Sequence, residues 1–207
     1  MIRFRTVVAL VAVTLPGLTG CSFGPRHPGW VIHSSVEIVG APPARGYRLV
    51  FPYVVGDLYG APGTGNFVTP MSSAAGAFTL DLNRTQAALE SELVPTDFSL
   101  RFLSISPHDA RLARLAPAAV QRDGIDPVGT VEWLDARTRR PLMLVYIDRA
   151  ASIEGSATRG GETIRYDIRV AKAGYVWVGE AAVAEHDTLY TVVPAPQHLI
   201  LTITPKR

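Results

Sequence analysis

The run Ile164-Arg165-Tyr166-Asp167-Ile168-Arg169-Val170 alternates apolar and charged side chains without a break. In an extended chain successive side chains point to opposite faces, so four apolar groups share one face and three charges share the other. Helical winding would scatter the same residues around a cylinder and give neither face a use. Phe78-Thr79-Leu80-Asp81-Leu82 and Phe98-Ser99-Leu100-Arg101-Phe102 repeat the pattern over shorter lengths. Alternation of this kind suits a sheet that is dry on one side and wet on the other. Further strands are predicted over residues 31–39, 48–55, 129–134, 142–148, 175–178, 189–193 and 199–204. Glycine- and proline-bearing turns separate them. About ten short strands spaced by such breaks predict a mainly β chain, arranged as an antiparallel β-sandwich or barrel.

Two short helices are expected to interrupt the sheet. Asn83 can cap residues 84–93, where QAALESEL is rich in helix formers and Pro95 follows. Ser106-Pro107-His108-Asp109 places a cap, a proline and an acid ahead of residues 110–115, with Leu112 and Leu115 three apart. Residues 116–127 have no long apolar run and are expected to be a surface connection. The stretch Ser72-Ser73-Ala74-Ala75-Gly76-Ala77-Phe78-Thr79-Leu80-Asp81-Leu82 is similar to the turn-then-strand of transthyretin-like and carboxypeptidase-regulatory-like sandwiches. Its glycine and alternating apolar residues match that pattern, whereas Ser73 stands where the pattern has aspartate. The resemblance implies a sandwich rather than a barrel and implies no activity.

Arg3 and Arg5 precede the apolar run Val7-Val8-Ala9-Leu10-Val11-Ala12-Val13, and no acidic residue occurs before Glu37. A membrane-crossing helix needs about 20 apolar residues. This run is shorter and has the length of the apolar region of a secretory signal. Leu18-Thr19-Gly20-Cys21 follows and resembles the lipobox of bacterial lipoproteins. That resemblance implies a signal peptide over residues 1–20, with Cys21 acylated as the mature N-terminus. Two or more fatty-acyl chains anchor a protein stably where one binds only marginally. Ser22 in place of the aspartate that favours inner-membrane retention implies the periplasmic face of the outer membrane. Residues 21–29 then form a lipidated tether, and residues 30–207 one domain. Cys21 is the chain's only cysteine, so no internal disulfide is expected.

The precursor carries 20 Lys and Arg against 18 Asp and Glu. Loss of Arg3 and Arg5 with the signal removes the excess of positive charge. With basic and acidic residues interspersed, nothing marks a nucleic-acid binder. The histidines His27, His33, His108, His186 and His198 show no metal-ligand spacing, and no metal or cofactor is expected. Glu185-His186-Asp187 is the most suggestive local cluster, yet neighbouring side chains on a strand diverge and the triplet reads as a solvated turn. Gly60-Ala61-Pro62-Gly63-Thr64-Gly65 lacks the Lys-Ser/Thr of a phosphate loop and reads as a turn.

Two features bear on binding. Arg137, Arg139 and Arg140 crowd a predicted hairpin tip and can meet an anionic surface. Tyr175-Val176-Trp177 places aromatics at alternate positions, which suits a core; Trp133 and Trp177 are expected inside it, each indole N–H on a backbone acceptor. The resulting expectation is a membrane-anchored, non-enzymatic binding or assembly module of the bacterial envelope, with an envelope protein as its partner. Two alternatives remain open. An envelope hydrolase needs a histidine and carboxylates gathered in a pocket from distant positions. A carbohydrate-binding module needs Trp133, Trp177 or Tyr175 on an exposed flat face.

Overall fold

The computed structural model describes residues 30–38, 47–56, 58, 65–70, 76–84, 86–96, 103–115, 118–122, 127–196 and 199–205. Cys21, the expected signal and tether, and the strand expected over 98–102 lie outside the described residues.

The described residues are mainly β and hydrogen-bond into one mixed sheet of 14 strands. Strand β1 (Val31–Ile38) lies between β4 (Ala77–Asp81), which runs antiparallel to it, and β14 (Leu199–Pro205), which runs parallel. From β14 the sheet continues through β8 (Pro127–Asp135) and β7 (Ala118–Arg122) to β2 (Tyr47–Val55). β3 (Gly65–Pro70) pairs with β2 as well. β6 (Leu112–Leu115) pairs with the last residues of β2 and leads to β9 (Pro141–Ile147) and β12 (Gly174–Ala184). Beyond β12 come β13 (Asp187–Val193), β11 (Glu162–Val170), β10 (Ala151–Arg159) and β5 (Leu103–Ser106). β8 and β9 form a hairpin paired only near its tip, at Trp133 with Leu142 and Leu134 with Pro141. Past that point β8 follows β7 and β14, whereas β9 follows β6 and β12, so the hairpin straddles the two halves of the sheet.

The halves share walls. One buried cluster includes Leu49, Phe51, Phe67, Leu80, Trp133 and Trp177; a second includes Leu112, Ile147, Ile153, Ile168 and Val178. Along β9, Leu144 and Tyr146 enter the first cluster while Val145 and Ile147 enter the second. β6 and β12 divide in the same way, with Leu115 and Trp177 on one side and Leu112 and Val178 on the other. A strand buried on both faces reads as a continuous apolar run, which is what LMLVYI is. In the first cluster Trp133 stacks on Phe51 at 5.1 Å and meets Trp177 edge-on at 5.3 Å. The indole Nε1 of Trp133 is buried without a hydrogen-bond partner, contrary to the expected backbone acceptor.

β11 follows the alternation that predicted it: Tyr166, Ile168 and Val170 are buried while Arg165, Asp167 and Arg169 face water. Gly76 precedes β4 at φ +65°, the left-handed conformation that a glycine takes without a Cβ clash. The first expected helix is present as α1 (Gln86–Glu92), preceded by a 3-10 turn over Leu82–Arg84. In that turn Asp81 takes the Asn83 N–H at 3.1 Å. Leu89 and Leu93 pin the helix to the first cluster.

Three expectations are overturned. Residues 110–115 hold no helix: Pro107, His108 and Asp109 make a turn, and β6 begins at Leu112. Leu112 and Leu115 serve opposite clusters, which needs the odd spacing of a strand rather than one helical stripe. The span 116–127 is not a plain connection, because β7 lies within it and Val120 is 1% exposed. The sheet is also not wholly antiparallel, since β1–β14 and β11–β13 are parallel. In the second case β12 carries the chain across before β13 returns beside β11.

Candidate functional site: an arginine-rimmed groove

The β8–β9 tip is built around one carboxylate. Asp135 accepts the backbone N–H groups of Thr138 (2.7 Å) and Arg137 (3.1 Å) and the Thr138 hydroxyl (2.9 Å). These bonds, led by the Thr138 N–H, and the nearby Arg137 charge hold the Asp135 carboxyl below its ordinary range against an opposing desolvation. The Arg139 N–H closes the turn on the Asp135 carbonyl at 2.8 Å, and Arg139 itself takes a left-handed φ of 56°. The three arginines of the tip therefore separate. Arg139 reaches back to Glu37 on β1, Nη1 to Oε2 at 2.8 Å. Arg137 and Arg140 line a groove, and among the described residues neither guanidinium has a carboxylate within ion-pair distance.

The groove encloses about 600 Å³, within the roughly 300–1,000 Å³ of small-molecule sites. Its floor includes Leu142 of β9, Gly179 and Ala181 of β12, and Thr191 and Val193 of β13; two carboxylate residues, Asp135 and Glu180, and Pro194 and Pro196 also line it. Gly179 sets the shape of that floor. A Cβ there would lie 2.8 Å from Val193 Cγ1 and 3.4 Å from Leu142 Cδ2, so the missing side chain lets both residues lean over the strand. β12 pairs with β13 from Trp177 to Ala184 but with β9 only as far as Gly179, and β13 pairs with β11 only as far as Thr191.

A second feature escaped the sequence reading. Tyr53 donates to Glu92 Oε2 at 3.1 Å and Tyr146 to Glu90 Oε1 at 2.6 Å, tying α1 to β2 and β9. Tyr175 packs between Trp30 (5.2 Å) and Tyr146 (5.1 Å), its hydroxyl buried without a hydrogen-bond partner. Burial, reinforced by neighbouring Glu90, pushes the Tyr146 and Tyr175 hydroxyls well above the usual phenol range. This arrangement holds the helix on the sheet.

The other sequence-predicted residues do not converge. Glu185 and His186 form an exposed turn, with His186 Nε2 3.6 Å from Glu185 Oε1. Asp187 instead pairs with Arg165 at 2.7 Å. Among the described residues the one carboxylate within ion-pair distance of His186 is that of Glu185. Among the described residues no group of three or more histidine, cysteine, aspartate or glutamate side chains is placed to hold a metal ion. Trp133 and Trp177 are 2% and 9% exposed and Tyr175 faces the core, so none of them offers a flat sugar-binding surface. Among the described residues no helix is long and apolar enough to cross a membrane.

The described residues form a mainly β fold with a groove beside the β8–β9 tip that both arginine and carboxylate residues line. No protein family, curated protein or solved structure matches this chain.

Proposed function

We propose that the protein is a lipid-anchored envelope module that acts by binding rather than catalysis, with the Arg137–Arg140 side of the groove as its contact surface for an anionic component of the envelope. On this reading Cys21 carries the fatty-acyl anchor, the mature chain stands on the periplasmic face of the outer membrane, and the two halves of the sheet pack as a sandwich. One observation supports the binding surface above the rest. Arg137 and Arg140 line a groove, shared with Asp135 and Glu180, in which neither guanidinium makes an ion pair among the described residues, while the third arginine of the same turn is paired with Glu37. Unsatisfied, planar donors in that position suit phosphate or carboxylate.

The test is co-purification from membranes after mild crosslinking. Replacing Arg137 and Arg140 by Gln should remove anionic material recovered with the wild type, and Arg139→Gln should not. Recovery should also fall as salt rises, because exposed charges are screened beyond about 8 Å at physiological ionic strength. Equal recovery from all three proteins would refute the reading.

A further inference from the structure

β12 outruns one of its neighbours. It has 11 residues, but β9 pairs with it only from Gly174 to Gly179. Among the described residues no strand pairs with residues 180–184 on that side. On the other side β13 pairs with them through residues 187–190, and the same β13 residues pair with residues 163–166 of β11. The open edge therefore belongs to a supported sheet of at least three strands and not to an isolated hairpin, which would be marginal in water. We infer that the protein self-associates by pairing residues 180–184 of β12 antiparallel with the same residues of a second copy, which joins two sheets edge to edge. This contact goes beyond the anion-binding reading and does not use Arg137 or Arg140.

An open strand edge presents backbone N–H and C=O groups that another extended chain completes. Natural edges are often blunted by lysine or proline, and Glu180-Ala181-Ala182-Val183-Ala184 holds neither. Val183 is 55% exposed, so nothing in the chain covers it. The run is also self-complementary. Antiparallel pairing about a two-fold axis at Ala182 sets Glu180 opposite Ala184 and Ala181 opposite Val183. The two glutamates then avoid each other, where like charges directly opposite would destabilise the pair. Each exposed valine lies beside a small alanine of the other copy, and the same patch serves both copies, as a two-fold interface requires. The register with β13 shifts between Ala182 and Ala184, with Val183 as the extra residue. Such a bulge bends a strand and keeps edge pairing short. The contact is accordingly small, and interfaces below about 1,200 Å² are weak and transient. Attachment of both copies to one membrane, on the anchoring reading above, raises their effective concentration.

The experiment is a cysteine scan of residues 180–184 in the full chain, oxidised mildly in membranes. Cys21 is the natural chain's only cysteine, and a parallel scan in the Cys21→Ser chain in solution removes it as a source of crosslinks. Ala182→Cys should give a disulfide-linked dimer, because residues opposed across an antiparallel pair have Cα atoms about 4.5–5.5 Å apart, within disulfide reach. Glu180→Cys and Ala184→Cys should not, since each is then about 14 Å from its own counterpart. Thr158→Cys, exposed near the β10–β11 tip, measures random collision. Sedimentation equilibrium of the Cys21→Ser chain should show monomer and dimer, which reports association independently of the anchor. Ala182→Lys sets two like charges at the axis and should raise the dissociation constant about ten-fold or more, with a thermal melt matching the wild type. Gln at Arg137 and Arg140 should leave the dimer unchanged, which separates this inference from the anion-binding reading. A crosslinking peak at Val183 keeps the edge pairing with its axis one residue along. Crosslinking no greater across residues 180–184 than at Thr158→Cys, or a monomer at every concentration, would overturn the inference. Capture of a different protein by Ala182→Cys in place of the second copy would overturn it too and make a foreign strand the occupant.

Discussion

Ile168→Ala tests the two-cluster core at one of its most enclosed points. Ile168 is 0% exposed, faces Ile153 across the β10–β11 ladder, and sits on a strand that also pairs with β13. The substitution removes three buried carbons, about 2.4 kcal/mol of transfer free energy at about 0.8 kcal/mol each. A cavity cost adds to this, since β11 is held on both edges and cannot easily collapse inward. A loss of about 3–4 kcal/mol follows, in the middle of the range for such truncations. Asp167→Asn, one residue away, is the control. Asp167 is half-exposed and meets Arg169 Nε at 2.8 Å, while Arg169 also holds Glu154 at 3.1 Å. An exposed pair of this kind contributes about 0.2–1 kcal/mol. Urea unfolding followed by tryptophan fluorescence should show the midpoint drop sharply for Ile168→Ala and barely for Asp167→Asn, with similar slopes. Equal losses would refute the facing of β11 and the second cluster with it.

Asp148 joins two turns, accepting the Arg111 N–H and Arg111 Nε, each at 2.9 Å, together with the Arg149 guanidinium. Burial pushes its carboxyl up, but these hydrogen bonds together outweigh burial and hold it below its ordinary value. Its stabilisation is therefore present above the unfolded carboxylate pKa of about 3.9 and disappears as pH falls through the lower folded value. Asp148→Asn should cost about 1–3 kcal/mol at neutral pH and flatten the acid limb of a stability-against-pH curve. The phenols of Tyr53, Tyr146 and Tyr175 are all raised, chiefly by burial. Their contribution is full below an unfolded pKa of about 10 and is lost as pH rises through the folded values. Absorbance titration should thus show at least three of the seven tyrosines ionising only as the alkaline protein unfolds.

Strands with one wet face were readable because charge and apolarity alternate along them, as in β11. Those buried on both faces were readable as apolar runs, as in β9. β6 misled because Leu-Ala-Arg-Leu fits a helical spacing of three as well as a strand whose two leucines serve different clusters; tertiary packing decided between them. β7 and β10 were missed because Ala-Ala-Val-Gln-Arg and Ala-Ser-Ile-Glu-Gly-Ser-Ala-Thr-Arg carry few large apolar groups, and neighbouring strands supply the burial. The arginine tip was legible from composition between two strands. Its division was not, because Arg139 turns towards Glu37, 102 residues away in sequence. Nor was the floor, since Gly179 acquires its meaning only from Val193 and Leu142 beside it.

Anchoring at Cys21 is the claim on which location and mode of action both depend, and the intact mass of the N-terminal peptide from membrane-purified protein tests it most directly. The account predicts a chain that begins at Cys21 and carries diacylglycerol on sulfur, with a further acyl chain on the amine. A mature chain in the soluble periplasmic fraction with a free Cys21 thiol would contradict it.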